Sequence, residues 1–427
     1  MITLNEGQKA TIGKCLKFLE DPNERLFLIE GSAGTGKTTC IQQVVMQRGD
    51  LEFVMTAPTN KATKVLREIG VKEGLREVEC RTIYSLLGLR VQKDSEYVRV
   101  EALAESEVCK YDVVVLDEGS MVNSALTGHV YDASIQTNTK FIVMMDPLQL
   151  PPVGEENSEL SAIPNKVTLT KVERHDNQIL TFATNLRKGI LTGTLPKFRS
   201  DNDENGGVYT VDARRMRKHL QKAYTSETYQ NTPSSCKTIA WRNSTVNGYN
   251  DFIRDSIYGE AAQEMFVVDE RVVAIHPIPS LSQDESFDMV TDEEGTIAEM
   301  EVRQHPTFPD FKVYYLKVET EFSQTWANCF VIHPDSRKAY DARLQELSSA
   351  ARNGKMPWKS FWAMKNEFFH DVRPCHAITA HRSQGSTYRS VFVDVEDILA
   401  NHNFIESLRC LYVAATRASD ILVLRTR

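Results

Sequence analysis

A glycine-rich turn between an apolar run and an amphipathic run constrains the fold of this chain more than any other feature. The stretch IEGSAGTGKTTC occupies residues 29–40; RLFLIEG leads into it and KTTCIQQVVMQRG continues from it. The first run is typical of a buried strand, and the second has apolar residues at helical spacing. A strand, a glycine turn and a helix in this order aim backbone N–H groups and a helix N-terminus at a phosphate. The sequence therefore predicts an α/β fold built around a phosphate-binding loop.

We predict that this loop binds ATP and Mg²⁺. Lys37 is placed to reach the β- and γ-phosphates, and Thr38 to put its hydroxyl on the metal ion. The glycines are expected to let the backbone curl around the phosphates. The predicted nucleotide-binding residues of the loop are Gly31, Ser32, Ala33, Gly34, Thr35, Gly36, Lys37, Thr38 and Thr39.

Three further apolar runs predict neighbouring strands: LEFVMTAP, YDVVVLDEGS and KFIVMMDPLQLPPVG. Each ends in polar residues, and such residues gather at the ligand-binding edge of an α/β sheet. Asp117 is expected to hold the Mg²⁺ shell, and Glu118 to orient or deprotonate the attacking water. Gln149 ends the next strand, where an amide can sense the γ-phosphate, although a plain loop glutamine beside prolines is the commoner explanation.

Length and composition bound the class of protein. A chain of 427 residues with 41% hydrophobic residues suggests a globular protein of two to four domains. The start MITLNEGQKA lacks the blocks of a signal peptide, and no apolar run approaches the ~20 residues of a membrane span. We therefore expect no membrane association and a cytoplasmic protein, in the host cytoplasm if the chain is phage-encoded.

The net charge of −8 is unfavourable for a protein that handles nucleic acid. Binding depends on the local field in one groove, however, and acidic loops elsewhere can outweigh that groove in the total. The segment SQDESFDMVTDEEG, residues 282–295, is one such acidic surface loop. Net charge therefore does not exclude a nucleic-acid partner.

Several polar residues have both a structural and a functional explanation. In TAPTNKATKVL, Pro58 leads into a helix at which Thr59 and Asn60 offer donors to a backbone phosphate, but helix capping explains both equally well. Arg417 in AATRA is either a surface arginine or an arginine finger, which can change a rate by about 10³- to 10⁵-fold. Arg174 in LTKVERHDNQI is a candidate for a second positive charge.

Nine motifs in order resemble those of superfamily 1 helicases, most closely the 5′-to-3′ group of the RecD and Dda type. They are LNEGQ, GSAGTGKT, TAPTNKATKVL, TIYSLLG, LDEGSM, DPLQLPPVG, LTKVERHD, AHRSQGST and LYVAATRA. The chain departs from the pattern at Met145, where relatives often have glycine, and at Gly119, where a larger residue is common. Neither position carries a reacting side chain, so only local loop geometry is affected.

The resemblance implies a role for each matching residue. Gln8 would recognise adenine, and the γ-phosphate contacts would be Gln149, Arg174 and Arg417. Gln384 and Gly385 would lie nearby in the nucleotide cleft. The path of the single strand would be lined by Pro58, Thr59, Thr82 and His381. Asn243, in AWRNSTVN, is a further candidate for this path, with helix capping as its alternative explanation.

The resemblance also implies two RecA-like motor domains, residues 1–175 and residues 176–255 with 370–427. LRVQKDSEYVRVEAL, residues 89–103, alternates around KDSE and predicts a hairpin within an insertion at 87–108. A decorative surface hairpin is the alternative to a pin that splits duplex, with Tyr97 as the stacking wedge. Short strands within 256–369 predict a small inserted β-barrel, which the resemblance suggests is SH3-like with a helical extension.

The function implied is an ATP-dependent 5′-to-3′ DNA helicase that moves on single-stranded DNA and acts at junctions with duplex. An RNA-directed helicase and a translocase or remodeller without strand separation remain alternatives, since 2′-OH contacts cannot be located from the motifs. A P-loop phosphotransferase is more remote, because it leaves AHRSQGST and LYVAATRA without a role. Monomeric action is the default, with replication or recombination proteins left open as partners.

Overall fold

The computed structural model describes residues 4–72, 78–93, 98–102, 104–171, 178–204, 206–280, 287–321 and 325–426. The predicted site residues Tyr97 and Arg174 lie outside these ranges. The chain forms two compact units, residues 1–212 with 383–427 and residues 213–382. This grouping differs from the motor-domain boundaries expected from the motifs, which stay a prediction. Across the described ranges, no helix is long and apolar enough to cross a membrane.

The first unit contains a six-stranded sheet in which every strand pair is parallel. Its strands, in spatial order, are β3 (Glu79–Thr82), β2 (Phe53–Ala57), β6 (Val113–Leu116), β7 (Lys140–Met145), β1 (Leu26–Gly31) and β8 (Lys166–Leu169). Successive residues of β1 are buried in cores on opposite faces, Phe27 and Ile29 on one side and Leu28 on the other. Because both faces are covered, these strands are near-continuous apolar runs, as the sequence predicts.

Helices cover both faces of this sheet. Ile12 and Phe18 of the first helix share one core with Ile41 of the second, while Leu126 and Val130 of the fifth pack in the opposite core. The helices are α1 (Glu6–Glu20), α2 (Lys37–Gln47), α3 (Asn60–Lys72), α4 (Ile83–Leu86), α5 (Ser124–Gln136) and α6 (Gln178–Thr192).

The remainder of the first unit is a second set of paired strands with helices from the C-terminal segment. The strands are β9 (Asp201–Asp203), β10 (Gly206–Val211), β20 (Tyr388–Asp394) and β21 (Ala418–Arg425), and the helices are α13 (Val395–Leu399) and α14 (Phe404–Ala415). Strand β21 pairs in parallel with both β10 and β20, and β9 pairs antiparallel with β10.

A two-stranded antiparallel hairpin follows α4, as the alternating runs predict. It consists of β4 (Leu89–Lys93) and β5 (Val98–Ala102), with Leu89 opposite Ala102 and Lys93 opposite Val98. Its use as a duplex-splitting pin stays a prediction.

The second unit combines helices, a short parallel strand pair and an antiparallel sheet. The helices are α7 (Ala213–Tyr224), α8 (Glu227–Asn231), α9 (Asn243–Tyr258), α10 (Pro334–Arg352), α11 (Trp358–Trp362), which continues as a π-helix over Ala363–Phe368, and α12 (Ala380–Ser383), which ends at the unit boundary. Strands β11 (Cys236–Ala240) and β19 (Ala377–Thr379) pair in parallel.

The antiparallel sheet has five strands: β17 (Trp326–Ile332), β16 (Lys312–Thr320), β15 (Glu294–Gln304), β12 (Arg271–Ala274) and β18 (Val372–Pro374). A two-stranded ribbon, β13 (Ile278–Pro279) with β14 (Phe287–Met289), accompanies it. One face of the sheet buries an apolar core that includes Val272, Leu316 and Val318. Short antiparallel strands are thus present where the sequence predicts them, and their SH3-like character stays a prediction.

Candidate active site

The phosphate-binding loop joins β1 to α2 as predicted. Gly34 and Gly36 have φ of 81° and 83°, in the left-handed region that favours glycine. The Nζ atom of Lys37 donates to the carbonyl oxygens of Gly31 and Ser32, at 2.7 and 3.2 Å. The lysine ammonium therefore lies inside the loop, where a phosphate would meet it.

Gly31 contributes by its small size, and not by a left-handed backbone conformation. It is absent from the positive-φ glycines of the described chain. A Cβ atom at Gly31 would lie 2.6 Å from the Oγ1 atom of Thr35 and 3.1 Å from the Leu169 carbonyl oxygen. Thr35 is fully buried, and its hydroxyl donates to Ser32 at 2.9 Å. Close packing beneath the loop therefore requires glycine at position 31. The other predicted loop residues Ala33, Thr38 and Thr39 are half-buried.

Gln8 lies directly against the loop. Its side chain is buried, and Nε2 donates to the Thr35 carbonyl oxygen at 3.2 Å. Its Oε1 atom accepts from the Asn5 N–H at 3.0 Å, which completes a capping box at the start of α1. An amide nitrogen carries a second hydrogen, so these contacts leave a donor for a base. Adenine recognition by Gln8 stays a prediction.

Asp117 and Glu118 follow β6 directly. The Asp117 N–H donates to the Thr56 carbonyl oxygen of β2 at 2.8 Å, and Asp117 Oδ1 accepts from the Glu118 N–H at 2.8 Å. Glu118 has φ of 52°, an uncommon backbone conformation for a non-glycine residue that is often found at functional sites. A Cβ atom on Gly119 would lie 2.6 Å from Val143 Cγ1. The departure from the family pattern at this position thus has a steric reason.

Charge is concentrated around these two carboxylates. The pKa of Glu118 is raised to about 7, chiefly by burial and then by Asp117, against the opposing effects of Arg417 and Lys37. Burial also raises the pKa of Asp117, although Lys37 opposes it. Both carboxylates are half-buried, and carboxylate oxygens are ligands that Mg²⁺ prefers, so Asp117 with the Thr38 hydroxyl of the loop would suit this ion.

Gln149 and Gln384 meet in the same unit. Gln384 Nε2 donates to Gln149 Oε1 at 3.0 Å, and both side chains are buried. The same amide lies 3.4 Å from the Ser120 hydroxyl, three residues after Asp117. Gly385 has φ of 77°, and a Cβ there would lie 3.3 Å from the Ala62 Cβ of α3. The structure therefore brings Gln384 and Gly385 of the motif AHRSQGST to the polar edge of the first sheet.

Arg417 is held at the end of α14. Its Nε and Nη1 atoms donate to the carbonyl oxygens of Val413 and Ser386, at 3.0 and 2.9 Å, and Nη2 donates to the Thr416 hydroxyl at 3.0 Å. Arg417 is 6% exposed, so of the two explanations considered for it a surface arginine is excluded. Its positive charge lowers the pKa of Glu118 and so opposes the effect of burial.

The threonines predicted to contact DNA in the first unit also act as helix caps. Pro58, Thr59 and Asn60 lie where β2 passes into α3, and Thr59 Oγ1 accepts from the Ala62 N–H at 3.2 Å. Thr82 Oγ1 accepts from the Ser85 N–H at 3.1 Å and caps α4. A capping hydroxyl keeps its own proton for donation, so a phosphate contact stays compatible with both caps.

In the second unit, Asn243 lines a groove that has both polar and apolar walls. The capping explanation for this residue is wrong, because α9 begins at Asn243 and its N-cap is Arg242. The groove is lined by Asn243, Asn247 and Asp251, one turn apart on α9, and by groups that include Arg373, Thr379 and Arg382. The Arg382 guanidinium pairs with Asp292, in the turn before β15. His381 is half-buried on α12, and its contact with DNA stays a prediction.

Asp146 was missed by the sequence analysis although it belongs to the site. It is the first polar residue after β7, as Asp117 is after β6, so the same strand-end rule would have found it. Its Oδ2 accepts from the Tyr412 hydroxyl at 2.6 Å, and its Oδ1 from Arg187 Nη1 at 2.6 Å. The proximity of Asp146 also raises the pKa of Glu118.

Comparison with known families gives two matches. An AAA domain family matches residues 3–213, and a UvrD-like helicase C-terminal domain matches residues 374–424. The first match contains the phosphate-binding loop and the Asp117–Glu118 pair. The second match contains Gln384 and Arg417.

Individual proteins match over nearly the whole chain. An uncharacterized protein of Acanthamoeba polyphaga mimivirus, R530, is 25% identical over 490 aligned residues, covering 98% of this chain and 99% of the relative. The ATP-dependent DNA helicase dda of Enterobacteria phage T4 is 25% identical over 447 aligned residues, covering 97% of this chain and 97% of that protein.

The crystal structure of Pif1 helicase from Bacteroides in complex with ADP-AlF3 and ssDNA is similar in fold. It aligns with a TM-score of 0.52 and 15% identity, covering 99% of this chain and 92% of that chain. The α/β fold with two RecA-like motor domains is thereby confirmed at the level of architecture.

Proposed function

The chain belongs to the 5′-to-3′ helicases of superfamily 1, the RecD and Dda type, which are ATP-hydrolysing enzymes, and from that premise we propose how it works. In this proposal the protein binds ATP at the loop, moves 5′ to 3′ along single-stranded DNA and separates the duplex it reaches. The observation that carries the proposal is one charged cluster that combines Lys37 and Glu118 with Arg417 from the C-terminal segment.

Hydrolysis is assigned to this cluster. Glu118 orients the attacking water and takes its proton, while Lys37 and Arg417 stabilise the negative charge that spreads over the γ-phosphate. Thr38 and Asp117 would hold Mg²⁺, which supplies further neutralisation of the phosphate oxygens when bound. Arg174 is proposed as a second arginine at the γ-phosphate on the strength of its motif alone.

Gln149 is the proposed sensor of the γ-phosphate. Its amide oxygen accepts from Gln384, so the state of the nucleotide can be passed to the segment that carries AHRSQGST. Loss of the γ-phosphate would remove the contacts that Gln149 and Arg417 are both proposed to make with it. Repeated changes of this kind would alternate the grip on DNA and move the protein along the strand.

The groove on α9 is the proposed passage for the strand in the second unit. Asn243 and Asn247 offer amide groups at one concave surface, which Arg373 and Arg382 also line while they pair with Asp371 and Asp292. Such groups suit the sugar and phosphate, which position a nucleic acid without reading its sequence. The residues that are also proposed to contact the strand, on the strength of their motifs, are Pro58, Thr59, Asn60, Thr82 and His381, with Tyr97 as the wedge of the pin.

Helix α7 supplies local positive charge that the net charge of −8 conceals. Its sequence ARRMRKHLQKAY holds five Lys or Arg and no acidic residue, while Met216, Leu220 and Tyr224 are its buried face. Arg214, Lys218 and Lys222 follow one another at four-residue spacing on the exposed side, about 6 Å apart along the helix. A basic stripe of this kind is the electrostatic signature of a nucleic-acid surface.

We predict that neutralising this stripe weakens the salt dependence of DNA binding. The variant Arg214→Gln/Lys218→Gln/Lys222→Gln should lower the slope of log K against log salt by about 2, since each lost contact to a single strand removes about 0.7. The measurement is a titration of labelled oligo-dT at several salt concentrations. ATP hydrolysis at saturating DNA should stay at the wild-type rate.

The matched control replaces three exposed lysines of the first unit, Lys14→Gln/Lys17→Gln/Lys188→Gln, with the same loss of charge. Its salt slope should equal that of the wild type. An equal decrease in both variants would mean that overall charge, and not α7, sets the slope.

The proposed function is tested by ATP hydrolysis with oligo-dT, with oligo-rU of equal length and without nucleic acid. Strong stimulation by DNA that Lys37→Ala abolishes is expected. Stimulation by RNA alone would favour the RNA-directed alternative, and hydrolysis insensitive to both would contradict the motor. We place this activity in the cytoplasm, where a phage-encoded protein would meet the DNA and the replication or recombination proteins of its host.

A further inference from the structure

A buried carboxylate outside the predicted machinery joins the sensor loop to the C-terminal helix. The side chain of Asp146 is fully buried. Its Oδ1 accepts from Arg187 Nη1 at 2.6 Å and from the Leu148 N–H at 3.2 Å, and its Oδ2 accepts from the Tyr412 hydroxyl at 2.6 Å. A buried charge is stable only when it is paired in this way.

Arg187 closes the arrangement into a triangle. Its Nη1 atom lies 3.0 Å from the Tyr412 hydroxyl as well, and its guanidinium lies 5.3 Å from the centre of the Tyr412 ring. Burial alone would lower the pKa of Arg187, but Asp146 and Tyr412 hold it above its ordinary value, so the ion pair is kept. Three separate elements, α6, the loop after β7 and α14, are thus fixed to one another.

Two members of the triangle, Asp146 and Tyr412, are each a few residues along the chain from a residue that is proposed to touch the γ-phosphate. The Gln149 N–H donates to the Asp146 carbonyl oxygen at 3.1 Å, so the two residues share one tight turn. Tyr412 is followed five residues later by Arg417, whose N–H donates to the Ala414 carbonyl oxygen at 3.2 Å. Movement of Tyr412 relative to Asp146 would therefore change the spacing between Gln149 and Arg417.

We propose that Arg187 is a positioning residue for ATP hydrolysis, which holds Asp146 against Tyr412 and so sets the distance between Gln149 and Arg417. This inference rests on the proposed roles of those two residues at the γ-phosphate. Arg187 touches neither nucleotide nor water in this account, and acts through its two partners. Misplacement by about 1 Å in an active site can lower a rate by about 100-fold, so a partial loss of this restraint should lower kcat about 10-fold.

The test uses the full chain with saturating oligo-dT and measures kcat and the KM for ATP. Tyr412→Phe removes one hydroxyl and keeps the ring, and should lower kcat about 10-fold with less than a 2-fold change in KM. Arg187→Met should lower kcat at least as much, and Arg187→Lys should recover part of the loss because it keeps a charge for Asp146. If Arg187→Met does not fold, Tyr412→Phe still decides the question.

A double-mutant cycle separates positioning from general stability. In a Gln149→Ala background, Tyr412→Phe should lower kcat by less than about 2-fold, because the residue that it positions is gone. A full 10-fold loss in that background, or an unchanged kcat in Tyr412→Phe, would overturn the inference. If Gln149→Ala by itself leaves kcat unchanged, the proposed sensor role fails instead, and the two failures are distinguishable.

Arg425 offers a matched control. Its Nη1 pairs with Asp394 at 2.5 Å, and the Asp394 side chain is fully buried, as is that of Asp146. Arg425→Met should lower the unfolding temperature, as Arg187→Met should, but leave kcat within about 2-fold of wild type. An equal fall of kcat in this control would show that any broken buried ion pair has the same effect, which would contradict positioning by Arg187.

Discussion

Glu118→Gln is expected to lower the kcat of ATP hydrolysis by about 10³-fold while ATP binding stays within a few-fold of wild type. A positioned general base contributes about 10²- to 10⁴-fold to a rate, and the glutamine amide cannot accept the proton of water. Glutamine keeps the size of the half-buried side chain beside Asp117, so binding should survive. Single-turnover phosphate release and a fluorescent-nucleotide titration measure the two quantities.

The control is Glu159→Gln, an exposed glutamate in the same unit. Its kcat should match that of the wild type. A loss of less than 10-fold in Glu118→Gln would mean that the water is activated by another group, and the assignment of Glu118 would be abandoned.

Arg417→Ala is expected to lower kcat by about 10³- to 10⁵-fold, the range found when an arginine finger is lost. Three oxygen partners from its own segment hold its guanidinium, and its charge acts on Glu118. Removal of this charge leaves the transition state without one of its positive groups. Arg417→Lys should recover only part of the rate, because lysine lacks the planar fork that binds phosphate oxygens in pairs.

Arg409 on the same helix is the control for Arg417. Its guanidinium contacts the Glu156 carbonyl oxygen at 3.1 Å and the Asn157 side chain at 3.2 Å. Arg409→Ala should change kcat by less than about 3-fold. If Arg417→Ala lowers the unfolding temperature but leaves kcat near wild type, the residue supports the end of α14 and does not act on phosphate.

Local patterns in the sequence were sufficient to predict the parallel sheet and the phosphate-binding loop. In these cases the relevant residues are adjacent in sequence: apolar runs form β1, β2, β6 and β7, and the Asp117–Glu118 pair ends one of them. The reason for Gly31 was not predictable, because the atoms that exclude a Cβ there include the Leu169 carbonyl oxygen of a different strand.

The triangle of Arg187, Asp146 and Tyr412 was not predictable for the same reason. Its hydrogen bonds join residues separated by 41, 225 and 266 positions along the chain. Nothing in the run ILTFATNLRKG, which contains Arg187, distinguishes it from an ordinary amphipathic helix. Helix capping, the alternative explanation for Asn243, is wrong because the helix begins one residue earlier than capping by Asn243 requires.

The central claim, that this chain is a 5′-to-3′ DNA motor, is tested most directly by unwinding of two matched duplexes. The duplexes share one sequence and differ only in carrying a 5′ or a 3′ single-stranded tail, and strand release is followed with ATP and an unlabelled trap. The account predicts release from the 5′-tailed duplex alone, and none with Lys37→Ala. Release from the 3′-tailed duplex alone, or ATP hydrolysis stimulated by DNA without release from either, would contradict it.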